Sequence, residues 1–146
     1  MTRSVCVSLF LALSVSCLSL GADANDDAES IDGTWLPSAA ELGGEKFPDE
    51  VRKTIKLVVA DGKYTVTVGK VLDRGTVKLD PSKKPKALDI AGTEGPNKGK
   101  TILAIYEKTD DTLRICYDLS GEARPIEFKS TKGTQLFLVT YDREKP

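Results

Sequence analysis

The chain has 146 residues, enough for one domain and short of two. It carries 21 Lys and Arg against 22 Asp and Glu, a formal net charge of -1, so a nucleic-acid partner held by bulk electrostatics is not expected. Histidine is absent, which removes Ser-His-Asp and Cys-His catalysis, His-ligated zinc or haem, and a histidine pH switch.

The chain opens as an export signal. Arg3 supplies one positive charge, residues 5–20 are apolar and serine-laced without a charge, and small residues follow at Gly21, Ala22 and Ala24. This is the n-region, h-region and cleavage pattern of a secretory signal peptide, expected over residues 1–22 with cleavage near 22–24. The run is short and serine-rich for a membrane span, so no span is expected in the mature chain. Cys17, within Ser14-Val15-Ser16-Cys17, also resembles a lipoprotein box with Ser in place of the usual first Leu. Acylation there would tether the protein to the envelope instead of releasing it. Removing residues 1–22 takes only Arg3 from the bases and no acid, so the mature protein stays mildly acidic. Cys6 and Cys17 leave with the signal. Cys116 then remains alone, and the folded body must be stable without an internal disulfide.

Residues 23–31 are acidic and read as a flexible leader, and residues 32–146 as the folded domain. Two short stretches, 39–42 and 49–53, can hold a helical turn, but neither extends into an amphipathic stripe. Period-two alternation begins with Ile55, Leu57 and Val59. Asp61-Gly62 is a tight-turn signal, and Tyr64, Val66 and Val68 resume the alternation, making a hairpin. Strands follow at 75–79, 87–91, 101–107, 112–118, 126–129 and 135–141, separated by Pro81-Ser82, the Gly- and Pro-rich stretch 92–100, Asp110-Asp111, Ser120-Gly121 and Lys132-Gly133. About eight antiparallel strands at this spacing make an all-β barrel or sandwich.

Gly33-Thr34-Trp35 tips the balance to the barrel. The lone Trp beside a Gly at the entrance to the first strand suits the plug of a closed barrel end, with Arg143 on the last strand able to stack on the indole. Further along come the stretch from Pro81 through Lys83-Lys84-Pro85 to Asp89, Gly99-Lys100-Thr101, Ile105-Tyr106-Glu107, Asp111-Thr112-Leu113-Arg114-Ile115-Cys116, and Arg124-Pro125. In this combination and order the chain resembles an uncharacterised lipocalin-like (calycin-type) domain family abundant in planctomycete bacteria, over nearly all of its length after the signal. Ala104 departs from the family's more usual Gly-Ile-Tyr. The resemblance implies a small up-and-down β-barrel, often exported, and no particular reaction; fold alone does not supply one.

Candidates for chemistry are few. Cys116 is the one reactive side chain of the mature body, with Arg114 on the same strand face able to lower its pKa, but it has no histidine base and a buried free Cys is commonly a small hydrophobe. Asp110-Asp111 reads as a turn. Lys83, Lys84, Lys86, Lys98 and Lys100 surround the Gly/Pro-rich stretch and could form an anion-attracting rim or a solvated loop. Arg124 is expected to pair with Asp89 or Asp118 and lock a loop. Tyr64, Tyr106 and Tyr117 sit mid-strand; facing inward, they would line a cavity together with Arg114 and Cys116.

These features point to an exported, non-catalytic barrel, periplasmic or secreted, binding a small apolar or amphipathic ligand. The alternative is a structural or protein-interaction module of the envelope with a side-chain-filled core. No cofactor or metal is called for. The discriminating quantity is interior volume, because a typical small molecule needs at least ~300 Å³.

Overall fold

A computed structural model describes residues 30–145. The proposed signal segment, Cys17 and most of the acidic leader lie outside the described residues.

The elements in chain order are β1 (Gly33–Leu42), β2 (Glu45–Lys46), the single helical turn α1 (Asp49–Arg52), β3 (Ile55–Ala60), β4 (Lys63–Val68), β5 (Val71–Asp80), β6 (Lys86–Glu94), β7 (Thr101–Thr109), β8 (Thr112–Asp118) and β9 (Leu136–Arg143). From β3 to β9 each strand pairs antiparallel with the next, β1 pairs with β3, and β1 also pairs with β9 along most of its length. That last ladder closes eight strands into a barrel, and β2 is an extra strand on the end of β1. Closure removes the two edges an open sheet would expose.

The register sets what lies inside. Residues opposite one another across a ladder share a face. Leu88, Ala104 and Tyr117 stand in one cross-strand row, and Ile90 and Ile102 in the next. All are buried in the main core with Trp35, Leu57, Val59, Tyr64, Leu113, Ile115, Val139 and Tyr141. Turns follow the chemistry of their residues. Asp61 and Gly62 both have positive φ, at 51° and 73°, as a two-residue hairpin of right-twisted strands requires.

The closed end is built around Trp35, which is fully buried. Its Nε1–H donates to the Ile31 carbonyl at 2.9 Å. The Arg143 guanidinium lies 4.3 Å from the ring centroid, and its Nη1 donates to the Asp32 carbonyl at 2.9 Å. Gly33 makes this possible: its φ is 144°, and a Cβ there would come within 2.3 Å of Arg143 Nη1. Ile31, assigned from sequence to the flexible leader, is 2% exposed and belongs to the core. The folded unit therefore begins ahead of residue 32.

Two local expectations are corrected. Residues 39–42 form no helical turn; they continue β1 past a bulge between Pro37 and Ala39, and Ala40 pairs with Val139 in the core. Residues 126–129 form no strand. Ile126 and Phe128 mimic alternation, but the barrel already closes through β8, β9 and β1 and offers no open edge there. The segment between β8 and β9 instead crosses the outer wall. Asp118 initiates it, accepting hydrogen bonds from the Ser120 backbone N–H and hydroxyl and from the Ala123 N–H. Arg124 then straps it down, donating to the carbonyls of Leu88 and Ala104 and pairing with Asp89 at 2.6 Å.

Candidate functional site

The barrel is filled below and partly hollow above. A cavity of about 90 Å³ lies at the end opposite Trp35. Leu57, Val66, Ile90 and Ile102 form its apolar wall, while Leu119 and Phe137 stand towards the mouth. Phe47, carried between β2 and α1, stacks on Phe137 with ring centroids 5.4 Å apart, and Phe137 stacks on Tyr117 at 5.7 Å. A second interior space, lower down, holds about 10 Å³. Both fall well short of the ~300 Å³ set by a drug-sized occupant, so a lipid-like or drug-sized molecule enclosed in the barrel is excluded for this conformation.

Two hydrogen-bonded sets of polar groups line the upper cavity. Asp73, on the inward register of β5, is 4% exposed. It accepts the Tyr64 hydroxyl at 2.9 Å, the Asn97 backbone N–H at 3.0 Å and the Asn97 side-chain amide at 2.8 Å. These bonds latch the β6–β7 loop to the barrel wall. Across the cavity the Tyr117 and Tyr141 hydroxyls lie 3.2 Å apart. Tyr64 needs space to reach Asp73, and Gly75 provides it: a Cβ there would stand 2.7 Å from the Tyr64 ring and 2.0 Å from the Ala91 carbonyl.

Burial keeps all three phenols neutral. It raises Tyr141 to about 12, an effect the Tyr117 hydrogen bond opposes. Tyr117 is also raised by burial, with a contribution from Tyr141. Tyr64 is raised first by burial and then by the hydrogen bond and negative charge of Asp73. The lining thus combines three un-ionised hydroxyls with one carboxylate.

The five residues expected to share a ligand surface separate into three groups. Tyr64 and Tyr117 line the upper cavity. Tyr106 is buried low in the core and does not reach it. Arg114 and Cys116 belong to the opposite face of β8, since Leu113, Ile115 and Tyr117 take the inward register. The structure thus brings neither of them to the cavity wall they were expected to line. Cys116 is buried on the outer wall beside Ala87 and Ile105, in register across β6, β7 and β8. Its thiol donates to the Lys129 carbonyl at 3.5 Å. Burial raises its pKa, and the effect outweighs the Lys129 contact and nearby Arg114. Arg114 pairs with Glu107 at 2.6 Å and lies 4.3 Å from the Phe128 ring centroid. Both residues hold the crossing segment against the wall.

The lysine rim also divides. Lys83, Lys84 and Lys86 lie at the closed end and border a surface groove with Phe128. Lys98 and Lys100 lie at the open end, in the loop after β6. Lys86 opens β6, whereas Lys98 and Lys100 fold back beside Gly92, six residues further along that strand, about 20 Å away at ~3.3 Å per residue. Among the described residues, no three His, Cys, Asp or Glu side chains converge as a metal would require.

Sequence reading missed Asp73, Asn97, Tyr141, Phe47 and Phe137. One signal was available for Asp73. With β5 extended to Val71, Asp73, Gly75, Val77 and Leu79 form one inward row, and a carboxylate in such a row is conspicuous. Set against known proteins, the chain matches no family model and no curated protein.

Proposed function

We propose that the protein is an exported, non-catalytic barrel that binds a small amphipathic molecule at its open end. The observation that carries this reading is the convergence of Asp73, Tyr64, Tyr117 and Tyr141 on one cavity with apolar walls. Few polar groups in an otherwise apolar concavity are the usual make-up of a binding site. The cavity volume of about 90 Å³ limits the occupant to a few heavy atoms, or to the head of a larger molecule projecting from the mouth. A non-catalytic role is supported by the lack of histidine in the sequence and by the burial that raises the Cys116 thiol. Export, by cleavage near 22–24 or by lipidation at Cys17, rests on the N-terminal sequence pattern. Kinship with the lipocalin-like family rests on the motifs quoted above; the barrel form is consistent with it.

The filled lower barrel favours the second reading, an envelope module acting through its outer wall. A surface groove of about 520 Å³ borders the β8–β9 segment, and Ile126 stands on it 84% exposed. Native mass spectrometry of the protein purified from its own host separates the two. A bound small molecule, lost on Tyr117→Ala, is expected. Protein free of any small molecule, in a stable complex that Ile126→Asp disrupts, would overturn the first reading in favour of the second.

A further inference from the structure

We infer that the open-end cavity recognises a small organic cation, an alkylammonium group, with Asp73 as its counter-charge. This rests on the binding reading above and names its ligand class.

Asp73 is a carboxylate withdrawn from water, at 4% exposure. Its partners are the neutral donors Tyr64 and Asn97. Among the described residues no Lys or Arg forms a salt bridge with it. Hydrogen bonds from neutral groups offset part of the cost of burying a charge, and an opposite charge offsets more. Lys98 and Lys100 stand on the loop that Asp73 latches, but neither lines the cavity.

The rest of the lining suits a cation as well. Tyr64, Tyr117, Phe137 and Tyr141 supply four aromatic rings, and ring faces attract an ammonium through their quadrupoles. With the three phenols held neutral, Asp73 is the only charged group in the lining. An anion would meet like charge, and a neutral occupant would leave the carboxylate without a counter-charge. A cavity of about 90 Å³ suits an ammonium nitrogen with its methyl or methylene substituents.

The test is an NMR titration of the full chain with tetramethylammonium, with tert-butanol as its neutral near-isostere, and with acetate. Tetramethylammonium is expected to shift the resonances of Tyr64, Tyr117 and Phe137 and to bind at least ~10-fold more tightly than tert-butanol, a difference of ~1.4 kcal/mol. Acetate is expected to leave those resonances unmoved. Asp73→Asn should remove the preference for the cation. Because that variant can also loosen the β6–β7 loop, Phe137→Leu provides an independent arm: it keeps an apolar wall, removes a ring face, and should weaken tetramethylammonium several-fold while leaving tert-butanol unchanged. If tert-butanol binds as tightly as tetramethylammonium at these residues, the cation inference falls and the binding reading survives. If no probe shifts them, both fall.

Discussion

Replacing Trp35 with Ala removes the plug of the closed end, and the cost follows from its surroundings. The indole is fully buried, so truncation loses its transfer free energy and leaves a cavity, together ~3–5 kcal/mol. The Ile31 carbonyl also loses the Nε1–H donor now 2.9 Å away, a further ~1 kcal/mol. Arg143 loses the ring it covers at 4.3 Å, worth ~0.5–2 kcal/mol in a half-buried setting. Domains of this size commonly have only ~5–15 kcal/mol of stability. The variant should therefore lie near the edge of folding, with Tm lowered by ~15 °C or more. Trp35→Phe, which keeps a ring but no donor, should fall between the two. Urea unfolding followed by far-UV circular dichroism is the suitable assay, since the substitution removes the single Trp of the chain. A cycle with Arg143→Ala isolates the stacking contribution, expected at ~0.5–2 kcal/mol of coupling. A Trp35→Ala cost below ~1.5 kcal/mol, with coupling indistinguishable from zero, would refute the role assigned to the plug.

Gly75→Ala should cost ~1–3 kcal/mol and displace the Tyr64 ring, because the new Cβ meets the Ala91 carbonyl and that ring; chemical denaturation and the Tyr64 resonances check both. Cys116 should resist iodoacetamide at pH 8 in the native protein and react once urea unfolds it, as peptide mass mapping would show; rapid native labelling would contradict its burial. Burial acts to raise the Asp118 pKa, yet the Ser120 hydroxyl and the N–H groups of Ala123, Ser120 and Glu122 hold it below the ordinary carboxylate value. A depressed folded pKa means that its stabilisation is present above about pH 4 and is lost as pH falls through the folded value. Asp118→Asn should consequently flatten the acid side of the stability curve, measured by denaturation between pH 2 and pH 6; an unchanged acid side would count against the network. Arg124→Ala should expose residues 119–135 to limited proteolysis while the eight-stranded barrel stays folded, and unaltered cleavage kinetics would show that the strap does not depend on Arg124.

Much of the architecture is legible because local chemistry and tertiary fold agree. The β3–β4 hairpin follows from Ile55, Leu57 and Val59, the Asp61-Gly62 turn, and Tyr64 and Val66. Gly33 and Trp35 signal the closed end, since a small backbone position beside a large ring leaves space for Arg143. The crossing segment was misread because amphipathic alternation at Ile126 and Phe128 says nothing about whether a partner strand is free. Barrel closure, a property of β1 and β9 a hundred residues apart, decides that. The site was half legible for a related reason. Tyr64 and Tyr117 carry the alternation that sends them inward. Arg114 and Cys116 carry it equally, and only the register fixes which face is core. Asp73 went unnoticed because Asp and Gly are poor strand formers, so that β5 reads from Gly75 onwards although the strand runs unbroken from Val71 to Asp80.

Closure of the cylinder is the premise on which both the plug and the single open end depend, and amide hydrogen exchange along β1 and β9 tests it most directly. Paired to each other from Trp35–Arg143 to Leu42–Phe137, these two strands should exchange as slowly as the interior pair β6 and β7. Rapid exchange confined to β1 and β9 would mark them as the free edges of an open sheet and contradict the account.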